Sequence, residues 1–398
     1  MTSRLEFTTR QQDSATSARA GEIRLARGRI ETPMFMPVGT VGSVKGLEPR
    51  DLVDMDARII LGNTYHLYLR PGEQVLEQMG GLHRFMAWDG PILTDSGGFQ
   101  FFSLSRFARV DDDGVRFRSH LDGSRHAFTP ESVIETQRVI GSDIRMVLDD
   151  CPALPAPRSR ILEAMRRTTL WAQRSLQAAR HLDGATFAIV QGGTDRTLRR
   201  EHLDALSSLS FEGRTFEGLA LGGLAVGESA AEMDEVLHEI APRMPQDRPR
   251  YLMGVGKPGD ILQAIAAGID LFDCVLPTRN ARTGQLFTRE GALNLRNARH
   301  RVDDRPIDAE CPCPVCATHS RAYLAHLFRS REILAPRLAS IHNLRFYLDL
   351  VREARSAIIR GDYERWMNAT MRRWQGTGGP DMGARTQGGS GVDPRIPV

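Results

Sequence analysis

The chain has 398 residues, 41% of them hydrophobic, enough to bury one large core or two medium ones and too apolar for a fibre or a disordered chain. No run approaches the ~20 apolar residues of a membrane span, and residues 1–29 are too polar for a secretory leader, so the sequence points to a cytoplasmic protein with no membrane partner. The formal net charge of +3 conceals an asymmetry: over residues 279–345 twelve arginines face six acidic residues, a surplus that suits a polyanion such as nucleic acid, although a salt-bridged surface would read the same way.

Taken in chain order, residues 1–30 form a polar lead, and eight short apolar runs follow that stop abruptly at Gly or a polar residue. They are 34–38, 58–62, 91–95, 145–149, 186–191, 218–222, 250–254 and 268–273. Helical periodicity fills many of the gaps, as at 130–140, 158–182, 231–240 and 259–267. Strand and helix in alternation imply a parallel sheet, and eight such units fit an irregular (β/α)8 TIM-type barrel, an α/β fold, over residues 31–300. A doubly wound sheet would carry a dinucleotide fingerprint after its first strand, and the loop from Val38 to Ser43 lacks that glycine spacing.

Barrel chemistry sits where strands run into their following loops. Those ends read Asn63, Asp95-Ser96-Gly97-Gly98, Asp149-Asp150-Cys151, Gln191, Gly222-Gly223, Met253-Gly254 and Asp273-Cys274. A lone Asp at such a position more often caps the next helix than reacts. Asp95 precedes a turn too flexible to be simply a helix start, and Pro277 argues against a helix directly after Asp273, so both tilt toward function. Of the adjacent pair Asp149 and Asp150, one alone can face the mouth. Only two lysines occur, Lys45 and Lys257, and both lie in glycine-rich loops, which makes Lys257 a candidate phosphate contact.

Near the C-terminus, Cys311, Cys313 and Cys316 crowd into six residues, and a histidine would complete a tetrahedral, closed structural Zn2+ site in a 301–350 subdomain. His342 is favoured because it can return from a second element, with His319 and His326 also near. Residues 351–375 read as helices completing the barrel, and the Gly-rich 376–398 segment as a disordered tail.

The stretches Leu93-Thr-Asp-Ser-Gly-Gly-Phe-Gln100, Gly222-Gly-Leu-Ala-Val-Gly-Glu228, Tyr251-Leu-Met-Gly-Val-Gly-Lys-Pro258 and Phe272-Asp-Cys-Val-Leu-Pro-Thr-Arg-Asn-Ala-Arg282 resemble the tRNA-guanine transglycosylases, as does the Cys311, Cys313, Cys316, His342 set. That resemblance, which runs from about residue 31 to residue 371, implies exchange of guanine at the anticodon wobble position of tRNA for a 7-deazaguanine, by a homodimer with one structural zinc per subunit. It implies Asp273 as the nucleophile on the ribose and Asp95 as the general acid/base. In the base pocket, Asp149 would accept from the guanine ring N–H and amine, while Gln191 and the Gly223 backbone would donate to its carbonyl. Phe99 and Met253 would sandwich the ring, and Ser96, Gly97 and Gly98 would complete the wall. Leu224, in a Leu-Ala-Val loop of bacterial type, would accept from the aminomethyl group of 7-aminomethyl-7-deazaguanine, with Cys151 also bearing on base choice. Gly254, Val255, Gly256, Lys257, Pro258, Gly259 and Asp260 would form one RNA-contacting loop, and Thr278, Arg279, Asn280, Ala281 and Arg282 the other. Two other readings are a non-catalytic tRNA-binding subunit, against which stand both aspartates, and a metal-dependent hydrolase, against which stands a closed metal site.

Overall fold

The computed structural model describes residues 4–98, 100, 108–375 and 382. The expectations placed on Phe99 and, Met382 apart, on the 376–398 tail lie outside the described residues.

The runs read as strands form one all-parallel sheet, and the first of them is split by Pro37 into Met34–Met36 and Val38–Gly39. The upstream half pairs with Leu271–Asp273, aligning Phe35 with Phe272, while the downstream half pairs with Ile60–Gly62, aligning Val38 with Leu61. The two ends of the strand order therefore belong to one stretch of chain, and the sheet closes into a barrel. Proline cannot donate to a ladder, so it stands at the point where the strand changes partner. Between these ends run Ile92–Thr94, Ile144–Met146, Ala185–Val190, Gly218–Leu221 and Arg250–Leu252. The last three are buried at every residue, as expected of strands covered on both faces.

Residues 4–30 are more than a polar lead. Glu6–Gln12, Arg19–Leu25 and Gly28–Thr32 form an antiparallel sheet whose Ala18, Ala20, Ile23 and Ile30 are fully buried. Arg19 anchors it to the barrel floor through a buried bidentate pair with Asp270, the residue before the last strand, at 3.1 and 2.6 Å. A second insertion, Ala108–Val110, Val115–Arg118 and Arg125–Phe128, follows the Ile92–Thr94 strand and packs Val115, Phe117 and Phe128 against Tyr65 and Trp171.

The helix Leu334–Arg360, which carries His342, runs unbroken through residue 351 and continues into Tyr363–Gln375 after a turn at Gly361. The helix that carries His342 thus spans the position, 350/351, where the sequence reading divides the C-terminal region.

Candidate active site and metal centre

At the end of the Leu271–Asp273 strand, Asp273 Oδ1 accepts from the Tyr251 hydroxyl at 2.6 Å and from the Gly254 N–H at 2.8 Å. Oδ2 accepts from no described residue. Desolvation raises the pKa of this carboxyl despite both bonds. The sequence argument from Pro277 is corrected here, since a helix, Leu276–Thr283, begins almost at once with Pro277 in its first turn. A missing N–H there removes no helical bond. Asp273 nonetheless does not cap it; the cap position is Val275, without a side-chain bond.

Asp95 ends its own strand and reaches sideways. Its Oδ1 accepts from the Thr64 N–H at 2.8 Å, and its Oδ2 from Asn63 at 2.6 Å and Gln100 at 3.2 Å. It therefore holds the start of the neighbouring Thr64–Leu69 helix rather than its own. Burial lifts its pKa to about 6, against those hydrogen bonds and with added repulsion from Asp273, so the two carboxylates share one field.

Asp149 and Gln191 come together from two adjacent strands. Gln191 Nε2 donates to Asp149 Oδ2 at 2.7 Å and the Ser96 hydroxyl to Oδ1 at 3.2 Å. Three glycines press on this pair: a Cβ on Gly98 would lie 2.3 Å from Asp149 Oδ1, one on Gly222 2.9 Å from Gln191 Nε2, and one on Gly223 2.4 Å from Gln191 Oε1. With glycine at all three positions the backbone closes directly on this carboxylate and amide and bounds the slot that they line. Burial raises Asp149 to about 6. Asp150, as the pleat requires, turns away and pairs with Arg160 and Arg167. Leu224 is buried next to the slot, Met253 is half-buried, and Gly97 adopts a φ of 85° at the turn after Asp95.

Four residues that sequence reading passed over hold these groups. Tyr251 is fully buried behind Asp273. His202 Nδ1 accepts from the Gln191 N–H at 2.8 Å. Glu228 accepts from the N–H groups of Ala225 and Val226. Arg199, also fully buried, donates to carbonyls of both the Gln191 and Gly222 loops. Arg199 and His202 lie three apart on the Arg196–Ser208 helix, one face over the strand ends, a spacing that was available in the sequence.

Of the two segments read as RNA-contacting loops, 278–282 is helical, inside Leu276–Thr283, and 254–260 runs into the first turn of the helix Pro258–Ala266, each with a proline that starts its helix. A Cβ on Gly256 would lie only 2.2 Å from Cys274 Cβ, the residue after Asp273. Gly254 and Arg279 are exposed, and Lys257, Asn280 and Arg282 half-buried, whereas Val255, Gly256, Pro258, Gly259, Asp260, Thr278 and Ala281 are buried. Burial and Arg279 lower the pKa of Arg282. Part of the wider arginine surplus is neutralised within the chain, with Arg289, Arg305, Arg321, Arg337 and Arg345 each paired with carboxylates.

Cys311, Cys313, Cys316 and His342 bring their ligand atoms within 4.8 Å of one another, a group able to hold a metal ion. His342 Nδ1 faces Cys316 Sγ at 3.3 Å, and its Nε2 donates to the Phe287 carbonyl at 2.8 Å, fixing the tautomer that leaves Nδ1 free to ligate. His319 stacks on Tyr323 instead, and neither it nor His326 joins the group.

The family model for Queuine tRNA-ribosyltransferase matches residues 13–376. Among similar proteins, all bearing that name, the one from Solidesulfovibrio magneticus is 54% identical over 87% of this chain and 92% of its own length. Those from Dinoroseobacter shibae and Herpetosiphon aurantiacus are 51% and 48% identical, over 91% and 93% of this chain and 95% and 93% of theirs. With a pair of strand-end carboxylates, a glycine-walled slot and a Cys3His group all within the matched span, the chain belongs to the queuine tRNA-ribosyltransferase family of pentosyltransferases.

Proposed function

We propose that this chain exchanges guanine at the wobble position of a tRNA anticodon for 7-aminomethyl-7-deazaguanine, by two displacements at the ribose anomeric carbon. The observation that carries the reading is the asymmetry of Asp273, one oxygen bonded and the other accepting from no described residue, with its charge acting on Asp95. In the first step Asp273 Oδ2 attacks the anomeric carbon, the C–N bond breaks, and guanine departs with the electron pair. A carboxylate suits the oxocarbenium-like charge of such a step and then captures it. Asp95, tuned to about 6, gives a proton to the leaving base and takes one from the incoming base. The second base then displaces Asp273, and the phosphodiester backbone stays intact throughout.

The slot suits guanine. Asp149 accepts from its ring N–H and amine, while the second hydrogen of the Gln191 amide and the Gly223 N–H, which donates to no described residue, meet its carbonyl. The Ala225 N–H points to Glu228, so the carbonyl of the same trans peptide, that of Leu224, points the opposite way, toward an aminomethyl donor. Met253 would cover the ring. The wobble nucleotide must be turned out of its stack to enter, with Lys257, Arg279 and Arg282 on its phosphates. The metal is zinc, by its thiolate-rich set, and it is structural because all four positions are filled by protein. The homodimer that the family resemblance implies would be tested by sedimentation.

Exchange of labelled guanine into tRNA tests the reading. Asp273→Ala should abolish exchange while keeping tRNA affinity, and a denaturation-stable tRNA–protein adduct should form with the unaltered protein alone. Normal exchange by Asp273→Ala removes that residue from its role.

A further inference from the structure

Arg199 lies at the fourth position of the Arg196–Ser208 helix and has no solvent exposure. Its guanidinium is ringed by backbone oxygens: Nε donates to Gly193 O at 2.8 Å, Nη1 to Val190 O at 3.0 Å and Gly222 O at 2.8 Å, and Nη2 to Gly223 O at 3.3 Å. No carboxylate of the described residues forms an ion pair with it. A buried guanidinium carries a desolvation penalty, which four peptide dipoles offset at contact and the Glu228 charge offsets through space. Gly192 admits this closeness, since a Cβ there would lie 2.9 Å from Arg199 Cγ. Burial lowers the Arg199 pKa to about 10, which leaves it cationic at neutral pH.

The Gly222 carbonyl and the Gly223 N–H belong to one peptide unit. In a trans peptide they point in opposite directions, so a cation bonded to the oxygen withdraws charge through the amide and makes the N–H on the far side a stronger donor. That N–H donates to no described residue, and Gly223 packs on the Gln191 side chain, where a Cβ would lie 2.4 Å from Oε1. We propose that Arg199 is a positioning residue for base recognition, holding and polarising the Gly222–Gly223 peptide so that its N–H grips the carbonyl oxygen of the purine, in the ground state and as charge grows on that oxygen during departure. This rests on the proposed function, and adds to it a buried cation that touches neither base nor RNA.

A purely mechanical tie between two loops would weaken every base alike, so the test turns on the oxygen. Guanine and 6-thioguanine share the ring N–H and the amine, but sulfur is a poor acceptor. For the unaltered full-length protein, Arg199→Met and Arg199→Lys, the KM for guanine in tRNA exchange would be measured beside the inhibition constant for 6-thioguanine and the KM for tRNA. Arg199→Met is expected to raise the guanine KM by about tenfold, the scale of one charge-assisted hydrogen bond, with 6-thioguanine weakened by no more than about threefold and the tRNA KM unchanged. Arg199→Lys, which keeps the charge and loses the fork, should fall between them and carries the same comparison if the Met variant does not fold. Equal weakening of the two bases, or of neither, overturns the proposal. Equal affinity of the unaltered protein for both bases overturns instead the reading of Gly223 as an oxygen donor, and this proposal with it.

Discussion

Tyr251 donates its hydroxyl to Asp273 Oδ1 from a position with no solvent exposure, so the carboxylate read as the nucleophile is aimed by a group on the adjacent strand. This bond stabilises the ionised form against the desolvation that raises the pKa. Tyr251→Phe leaves the ring packing in place and removes the donor. Exchange should slow by about tenfold to a hundredfold, with tRNA affinity within about twofold, and the acid limb of the rate profile should move to higher pH because Asp273 becomes harder to ionise. An unmoved acid limb in a slowed enzyme would show that Tyr251 acts by packing alone.

The slot carries its own pH signature. Asp149 has a folded pKa of about 6 against an ordinary 3.8, so the folded protein holds the proton more tightly than the unfolded chain. Its contribution to stability is therefore intact below about 4 and declines as pH rises through about 6, reaching about 3 kcal/mol of destabilisation at neutral pH on an order-of-magnitude scale. Asp149→Asn should be more stable than the unaltered protein in urea at pH 8, and the gap should shrink toward pH 4.5. The same titration predicts that guanine binding by the unaltered protein falls away below pH 6, since protonation removes the charge that strengthens both bonds and turns one Asp149 oxygen into a donor facing donors. A stability gap that does not change with pH would contradict the assignment.

How much of this could be read from the chain divides by physical scale. Strand ends were legible because a buried parallel strand is a short apolar run, and a polar residue at its end has few places to be except the mouth. Asp95, Asp149, Gln191 and Asp273 were visible in that way. Tyr251, Arg199, His202 and Glu228 were not read, because what matters in them is a contact across elements: the three-residue spacing of Arg199 and His202 marks a shared helix face, but not which carbonyl a long side chain on it will meet. The misreading of Pro277 is of another kind: proline breaks a helix in its interior but starts one well, and only the position of the first turn distinguishes the two. The N-terminal sheet was lost to composition, since polar outward residues in 6–32 outnumber the few buried ones that fix it.

The metal group is tied to the mouth by adjacent residues on one helix. His342 faces the cysteines and bonds Phe287 O, while Asn343 donates to Pro277 O at 2.9 Å and Gln285 O at 3.1 Å and accepts from the Phe287 N–H at 3.1 Å. Pro277 lies in the first turn of the helix that carries Arg279 and Arg282. Cys313→Ala or prolonged chelation should thus lower metal content from one ion per chain, depress the thermal midpoint, and raise the KM for tRNA before it lowers the maximal rate. Elemental analysis beside steady-state kinetics checks this. Metal loss that abolished turnover with the tRNA KM unchanged would point to a catalytic ion.

Arg279 and Arg282 test a last distinction, between cations proposed to hold RNA and cations that hold protein. Arg279 is exposed, and burial together with the Arg279 charge disfavours the charged form of Arg282. Such repulsion is relieved by a phosphate between them. Arg279→Ala should weaken tRNA binding uniformly across tRNA sequences and reduce the slope of log affinity against log salt by about 1, the signature of one lost phosphate contact. Arg305→Ala, which removes a side chain paired with Asp303, should leave that slope unchanged. If the two variants behave alike in a salt titration, the helix after Asp273 does not carry the backbone of the RNA, and the approach of tRNA must be sought along another side of the mouth.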